Sequence, residues 1–434
     1  MRKQIYTSLL LCLTLLAVKQ GQAQIQTLSP YSSFGLGDVT PLTSQHFMDM
    51  GGTSVGMFSQ DFVNPMNPAS YSNLKLANFE IGGSGKFTKY EQGSAESGYN
   101  YVNFSHLMLG ADIGEKAGLA FGFVPYSNLG YEITHSESQL DFGGIDTTTY
   151  TPSFEGEGGV NKLFVGASYK INDNLSFGSQ LYYYFGNLIK KQQVEFESTS
   201  FVNTREETKI SIKDVGIDFG LQYSKFLEED KRLTVGATFN PGVKLDAEET
   251  NYKYTYSKTT VSETVLDTLI DQVDRSGTME VPASFALGFS LEKSNKWMLG
   301  GDVRMTQWEG SSYFGNSPAA YKDELAFSLG GSYTPNKEDV RYFWKRIEYR
   351  GGLKYKTGRL ELPSENSNSL TGINEIGINF GLGIPMRKTR GTLNIGFEFG
   401  QRGTTDNNLI KESYFKTYLA FTFRDKWFIK RKID

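Results

Sequence analysis

Residues 175–185 have the sequence Leu-Ser-Phe-Gly-Ser-Gln-Leu-Tyr-Tyr-Tyr-Phe, with large apolar side chains at every odd position except Ser179. Successive side chains of a β-strand point to opposite faces, so this stretch predicts a strand with one apolar and one mixed face. The same alternation recurs at 215–222, 376–383 and 393–400. A wall between lipid and a polar lumen requires this pattern.

Working outward from these stretches, the alternation predicts about fourteen strands. They lie near 76–90, 99–113, 115–135, 157–171, 174–200, 205–227, 231–256, 272–292, 295–310, 321–335, 344–360, 370–385, 390–402 and 411–424. Short turns, such as 114–115 and 172–174, alternate with longer polar connections, such as 136–156. Membrane barrels sort their connections in this way, whereas a propeller or sandwich has no reason to. We therefore predict an all-β fold, a 14-stranded antiparallel transmembrane β-barrel over residues 76–434.

Composition supports an exported barrel. The chain has 434 residues, with 31 Phe, 25 Tyr and 47 Gly but a single Cys, which excludes a disulfide framework. A basic start, an apolar core at 9–18 and small residues at 21–23 predict a signal peptide over residues 1–23. We expect a Gram-negative outer-membrane location. A formal net charge of −4 argues against nucleic acid as a partner.

Residues 29–74 differ from the rest because they show neither strand nor helix periodicity. A strand glycine often marks the close approach of another backbone. Glycines fill the predicted lumen face at Gly166, Gly178, Gly216, Gly220, Gly236, Gly288, Gly300, Gly330, Gly352, Gly377, Gly381 and Gly396. We expect residues 24–75 to form an N-terminal hatch inside the barrel. The alternative is that the glycines only relieve strain in a curved sheet.

Signals for catalysis are weak. Gly52-Thr53-Ser54-Val55-Gly56 matches the nucleophile pattern of serine hydrolases, but that motif needs a strand before it and a helix after it. Neither is predicted here, and no His, Asp or Glu cluster has metal-ligand spacing. We expect no enzyme activity, no metal and no cofactor. Inward charges such as Asp302 and Arg304 are expected to pair with each other or with the hatch.

Three groups of residues resemble the FadL family of outer-membrane transporters for long-chain fatty acids and other hydrophobic compounds. They are Asn67-Pro68-Ala69, the stretch 118–126, and the run from 281–284 through Trp297, Asp302 and Trp308. The resemblance implies a fourteen-stranded barrel with a lumenal hatch. It also implies capture of a hydrophobic ligand outside and its exit through an opening at an inward kink of the third strand.

Pro125 gives that opening a physical basis, because proline cannot donate to the strand ladder and marks a bulge or edge. We assign Pro125, Asn128 and Gly130 to a lateral portal; the alternative is a bulge that only bends the strand. Apolar side chains of the hatch and the third strand form the expected ligand-binding set. These are Phe34, Phe47, Met48, Met50, Met57, Phe58, Phe62, Phe121, Phe123 and Tyr126. Those of the hatch could equally serve only to pack it against the wall.

Two functions remain open. The first is passive uptake of hydrophobic small molecules, with outer-membrane lipid and the ligand as partners. The second is a non-transporting barrel that acts as a scaffold or partner subunit in a secretion or assembly complex. Polar character near 192–206 favours the second function. The apolar spacing over 261–273 fits either an amphipathic helix or a strand on the outer rim.

Overall fold

The computed structural model describes residues 28–134, 139–141, 147–198, 201–259, 262–316, 320–364, 367–386 and 390–426. The predicted signal peptide lies outside these residues. The strands are β1 Asp38–Val39, β2 Ala77–Gln92, β3 Ala95–Ile113, β4 Ala117–Thr134, β5 Gln139–Asp141, β6 Thr147–Lys170, β7 Leu175–Phe196, β8 Asn203–Phe226, β9 Lys231–Asn240, β10 Val243–Lys258, β11 Glu263–Val281, β12 Ser284–Lys293, β13 Trp297–Thr306, β14 Glu324–Tyr333, β15 Glu348–Lys356, β16 Glu361–Ser364, β17 Ser367–Gly372, β18 Glu375–Pro385, β19 Thr392–Arg402 and β20 Lys411–Asp425. Short helical turns lie at Pro30–Ser33, Gln45–Met48, Pro68–Asn73, Phe343–Arg346 and Asp406–Asn408.

Fourteen strands close into one antiparallel barrel, as the alternation predicted. The wall runs through β2, β3, β4, β6, β7, β8, β9, β12, β13, β14, β15, β18, β19 and β20. The first and last of these close the ring, with pairs from Ala77–Asp425 to Glu91–Lys411. A closed ring leaves no strand edge exposed to lipid, where an unpaired backbone group would be costly.

Two predicted strands are each interrupted by a proline. The predicted strand 231–256 divides into β9 and β10 at Pro241, and 272–292 divides at Pro282 into β11 and β12. Proline has no N–H for the ladder, and Gly242 takes a φ of +76° beside Pro241. Below the breaks β9 pairs with β12 and continues the wall. Above them β10 and β11 pair with each other.

Part of the sheet continues beyond the barrel on one side. The upper halves of β6, β7 and β8 pair with one another, and β8 pairs with β10 from Asn203–Tyr256 to Ile212–Ala247. The extension ends at β11, which settles residues 263–273 as strand rather than helix. We call β10, β11 and the upper parts of β6, β7 and β8 the outer sheet.

The two faces of the wall differ as the alternation requires. Large apolar side chains such as Val165, Leu181 and Leu299 are more than half exposed on the outer face. Residues of opposite parity, such as Gly166 and Gln180, meet the chain inside. An outer apolar band of this kind is what a lipid bilayer solvates.

Residues 28–76, the N-terminal segment, contact strands around the whole ring. Nine of the twelve lumen glycines leave no room for a side chain because this segment lies against them. The positions are Gly166, Gly178, Gly220, Gly236, Gly288, Gly330, Gly352, Gly381 and Gly396. At Gly300 the nearest atom is the Phe289 carbonyl oxygen of β12, at 2.6 Å, and Met57 of the segment lies at 3.2 Å. Gly216 and Gly377 instead face the side chains of Tyr184 and Lys354. The N-terminal segment therefore lies against glycines of inward parity on strands spread around the ring.

Candidate functional site

The wall is locally irregular where β3 and β4 diverge. Their ladder runs from Ile113–Ala117 only as far as Leu107–Phe123. Two residues later a register shift between Pro125 and Ser127 interrupts the pairing of β4 with β6. Proline at this point cannot donate to a ladder, and a bulge bends the strand that carries it.

The N-terminal segment pairs with β4 beyond this point. β1 pairs with β4 in antiparallel register, Asp38 with Asn128 and Val39 with Ser127. Nearby, the Thr40 N–H donates to the Tyr126 carbonyl at 2.8 Å. Asn128, one of the residues assigned to the portal, is therefore paired with the N-terminal segment.

Gly130 is held in the same way. Its carbonyl accepts hydrogen bonds from the Ser29 N–H at 2.7 Å and from the Ser32 hydroxyl at 2.8 Å. The Gly130 N–H donates back to the Ser32 hydroxyl at 3.0 Å. Because Ser29 and Ser32 are buried, these bonds are shielded from competing water.

A cavity of about 340 Å³ lies inside the barrel against the divergence of β3 and β4. Both flanks line it, through residues of β3 between 101 and 105 and of β4 between 124 and 128. Eight basic and four acidic side chains also line it: Lys86, Lys162, Arg304, Lys354, Lys356, Arg359, Arg402 and Lys416, with Asp38, Asp218, Glu324 and Glu375. Pockets for apolar ligands carry few polar groups, so this lining is more heavily charged than is usual for them.

Ion pairs connect many of these charges. Lys354 lies 3.0 Å from Glu375 and 2.6 Å from the buried Glu398. Arg402 donates to both carboxylate oxygens of Asp38, at 2.8 and 2.9 Å. The ion pair between Arg402 and Asp38 joins β19 to β1. β1 is the strand that pairs with β4 at the divergence.

Lys162 is stabilised by aromatic rings. It is 6% exposed, and its Nζ lies 4.0 Å from the ring centre of Tyr126, 4.4 Å from that of Tyr182 and 4.7 Å from that of Tyr184. A cation over several ring faces is held by their quadrupoles. The cage gives Tyr126 a structural role beside any contact with a ligand.

Asp302 of β13 anchors the middle of the N-terminal segment. Its Oδ2 accepts the Ser54 N–H at 2.6 Å and the Val55 N–H at 2.9 Å. Charge-assisted hydrogen bonds of this kind are stronger than neutral ones. The expectation that inward charges pair with the N-terminal segment is therefore met at Asp302.

A second anchor surrounds the helical turn Gln45–Met48. The Arg350 guanidinium donates to Asp49 at 3.1 Å and to Glu348 at 2.7 Å. The Gln45 N–H donates to the Glu80 carboxylate at 3.0 Å. Burial raises the pKa of the Asp49 carboxyl to about 7, because lost hydration outweighs the opposing effect of Arg350.

His46 lies in the same anchor. It is 4% exposed, and its ring stacks on Phe62 with the centroids 4.1 Å apart. Burial lowers the pKa of His46 to about 4, and the nearby Arg350 acts in the same direction. The imidazole is therefore neutral at physiological pH.

Most of the predicted ligand-binding side chains of the segment are used in packing. Phe47, Met50, Met57 and Phe62 form a buried cluster with Met298 of β13. Phe34 packs against the larger core cluster of the interior. The ring of Phe58 faces Arg232, with the guanidinium carbon 3.5 Å from the ring centre. From the predicted set, Met48 and Tyr126 line the cavity, and their ligand contact stays a prediction.

Phe121 and Phe123, also in the predicted ligand-binding set, lie on the outer side of the wall, and their ligand contact stays a prediction. Phe121 is 38% exposed on the outer face, beside Leu119. Phe123 has the same parity, and its ring lies 5.5 Å from that of Phe104 and 6.2 Å from that of Phe185. The physical reason is the strand period of two, which directs both rings away from the lumen.

The motif Asn67-Pro68-Ala69 shapes the backbone where the segment approaches the wall. The Asn67 side chain accepts the Ala69 N–H at 3.1 Å and donates to the Val55 carbonyl at 2.8 Å. It also donates to the Leu221 carbonyl of β8 at 3.1 Å. Pro68 and Ala69 lie against Gly178 of β7.

Several anchor residues were missed by sequence reasoning. Glu80, Gln180 and Gln222 are each at most 1% exposed and all bind the N-terminal segment. Each has the inward parity of its predicted strand, which was the available signal. A polar residue of inward parity can either face water or bind the N-terminal segment, and the sequence alone does not distinguish the two.

The serine motif at 52–56 has no catalytic setting. The Ser54 hydroxyl donates to the Gly52 carbonyl at 3.0 Å, and the neighbouring N–H groups bind Asp302. No group of three or more His, Cys, Asp or Glu side chains in the described part of the chain could hold a metal ion. None of the described helices is long and apolar enough to cross a membrane.

Solved structures with the same fold include a hydrocarbon channel and a toluene transporter. The Pseudomonas putida toluene transporter TodX has 17% identity, with 90% of this chain and 100% of that chain covered at a TM-score of 0.57. A Pseudomonas aeruginosa FadL homologue has 13% identity, 89% and 99% coverage and a TM-score of 0.56. The CymD monoaromatic hydrocarbon channel has 15% identity, 91% and 99% coverage and a TM-score of 0.51. At these identities the likeness establishes the fold alone.

The family whose model matches this sequence is not the FadL family that the motifs resemble. No curated protein matches the chain. A family model described as BamG matches residues 1–434, the whole sequence. The resemblance to FadL transporters thus holds for the fold.

Proposed function

The chain belongs to the BamG family, and we propose that it serves as a partner subunit in an outer-membrane secretion or assembly complex. In this role the barrel provides a rigid body in the membrane, and the outer sheet is presented outside it. The observation that carries the proposal is the charged, anchored interior. A hydrophobic ligand in transit would meet twelve charged side chains around the cavity.

The anchoring of the N-terminal segment supports a closed lumen. Asp302, Arg350 and Glu80 together make four hydrogen bonds to residues 45–55 in which one partner is charged. At about 1.5–3 kcal/mol each, losing all four without replacement costs about 6–12 kcal/mol. An opening that costs about 6 kcal/mol is populated in about one molecule in 10⁴. Such a segment is better suited to stiffening a barrel than to gating frequent transport.

A second candidate is passive passage of a hydrophobic small molecule, the role described for the hydrocarbon channel CymD and the toluene transporter TodX. The observation that favours it is the divergence of β3 and β4 beside the cavity. Phe104 of β3, which is 41% exposed, and Pro125 of β4 both line the cavity. In this mechanism the ligand would leave sideways there after β1 separates from β4.

A deletion strain complemented with the chain separates the two functions. The subunit proposal expects complementation to restore the abundance of other outer-membrane proteins, measured by quantitative mass spectrometry. Uptake of radiolabelled oleate should be the same with and without the chain. The proposal is wrong if oleate uptake depends on the chain while the abundance of other outer-membrane proteins does not.

A further inference from the structure

The outer sheet ends in an open strand edge. β11 pairs with β10 along its length, from Glu263–Lys258 to Val281–Val243. On its other side, contacts begin only near its base, where the Phe314 N–H donates to the Thr278 carbonyl at 2.8 Å. Between Glu263 and Arg275, no described residue makes a backbone hydrogen bond to that outer edge. All fourteen residues from 263 to 276 are exposed.

Apolar side chains line this open edge on both faces of the sheet. Val265, Leu266, Leu269, Ile270 and Val273 are 51%, 54%, 53%, 37% and 63% exposed. A cluster of exposed apolar side chains in a folded protein marks an interaction site. An added strand would extend both faces of the sheet at once and cover both sets of side chains.

The open edge of β11 is not placed where lipid could cover it. β12 has ten residues, from Ser284 to Lys293 beside the short turn. A tilted strand needs about 9–11 residues to cross a bilayer, so β12 alone is long enough to do so. β11 continues above Ser284 for the length of Glu263–Val281. Its open edge therefore stands outside the hydrocarbon region, where water or protein must cover it.

The charges on the edge indicate the chemistry of the occupant. Glu263 pairs with Arg205, and Arg275 pairs with Glu249. Asp267, Asp271 and Asp274 form no ion pair with any residue that the structure describes. Opposite charges on neighbouring strands stabilise their pairing, so these three carboxylates favour a strand that carries Lys or Arg.

A second copy of the chain fits poorly. Antiparallel pairing of two β11 edges would bring their acidic rows together, and like charges on paired strands are destabilising.

We propose that the outer edge of β11, from Glu263 to Arg275, binds an extended, basic segment of an extracellular partner protein by strand addition. Backbone groups of the open edge supply hydrogen bonds, and the exposed apolar side chains supply contact area. Asp267, Asp271 and Asp274 select a basic partner. This inference rests on the proposed role as a complex subunit and identifies the surface used.

The test uses the full chain in its native outer membrane, with a photo-crosslinking amino acid at position 266 or 269. The matched control position is Val202, which is 46% exposed at the end of the neighbouring β7–β8 hairpin. Both edge positions should crosslink to the same single protein, and position 202 should not. A product with lipid or with a second copy of this chain overturns the inference.

Two sets of substitutions measure the same contact by recovery of that protein with the tagged chain. Leu266→Asp with Leu269→Asp should lower recovery at least about tenfold, since each tenfold step needs only about 1.4 kcal/mol. Asp267→Lys with Asp271→Lys should also lower it, whereas Asp267→Glu with Asp271→Glu and Val202→Asp should not. If recovery is equal in all variants, β11 is not the contact and the subunit role stands. If the wild-type chain recovers no partner, both proposals fail.

Discussion

Replacing Gly352 with alanine tests how closely the N-terminal segment packs on the wall. A Cβ at Gly352 would lie 2.5 Å from the Met50 carbonyl oxygen and closer still to the backbone between Met50 and Gly51. Ordinary contact needs at least 3.4 Å, so the segment must move by about 0.9 Å at that oxygen. Overpacking of this size costs about 1–3 kcal/mol.

Gly351 is the matched control for this change. It neighbours Gly352 on β15, but a Cβ there would have its nearest neighbour at 3.8 Å, the Asn379 carbonyl oxygen. Gly351→Ala should leave docking of the segment unchanged or slightly improved, because alanine restricts the unfolded chain.

Hydrogen exchange of the purified barrel in detergent measures the effect. Amides of residues 45–56 should exchange about 5–150 times faster in Gly352→Ala than in Gly351→Ala, the range that 1–3 kcal/mol implies. Amides of β18 and β19 should keep their protection in both variants, which shows that the barrel stays closed. Equal exchange of residues 45–56 in the two variants would refute the packing described here.

Three further predictions concern the anchors and the kink. Asp302→Ala leaves the Ser54 and Val55 N–H groups buried without an acceptor, so it should weaken docking of the segment by about 2–6 kcal/mol. Asp302→Asn keeps an acceptor and should weaken docking less, as measured by the same hydrogen-exchange assay. His46 has a pKa of about 4 when docked and an ordinary value of 6.5 when released, so its contribution is intact above pH 6.5 and is lost as pH falls. Relative to His46→Phe, lowering the pH from 7 to 5 should weaken docking of the wild type by about 2 kcal/mol, because the raised pKa of Asp49 acts in the opposite direction and equally in both variants; equal pH dependence of the two would contradict this assignment. Pro125→Val should leave oleate uptake by cells unchanged with the barrel intact, whereas lost uptake would support a lateral route.

The barrel wall was largely predictable because the physics of a strand between lipid and lumen imposes a period of two. Gly236 and Gly352 have the inward parity, and the backbone of the N-terminal segment lies against both of them; that this segment forms a hatch stays a prediction. The same rule applies to Phe121 and Phe123, whose ligand contact stays a prediction. Their alternation with Ala120 and Gly122 already placed them outward, and only the family resemblance suggested a ligand role.

Other features depend on tertiary contacts that one sequence does not encode locally. The pairing of β1 with β4 joins residues about ninety positions apart, and a two-residue strand leaves no periodic signal. The anchors at Glu80 and Arg350 are single polar residues on the inward parity, where water, a neighbouring strand or the N-terminal segment are equally suitable partners. The open edge of β11 depends on the breaks at Pro241 and Pro282, which separate β10 and β11 from the wall strands β9 and β12. Proline predicted an interruption, but not which strands pair above it.

Native purification tests the subunit role most directly. The chain is tagged in its own cell, extracted in mild detergent, and analysed by size and by quantitative mass spectrometry of its components. The account predicts a particle much larger than the 48.5 kDa chain, with a second outer-membrane protein in fixed stoichiometry across independent preparations. A homogeneous single-chain particle that binds a hydrocarbon and carries no other protein would contradict it.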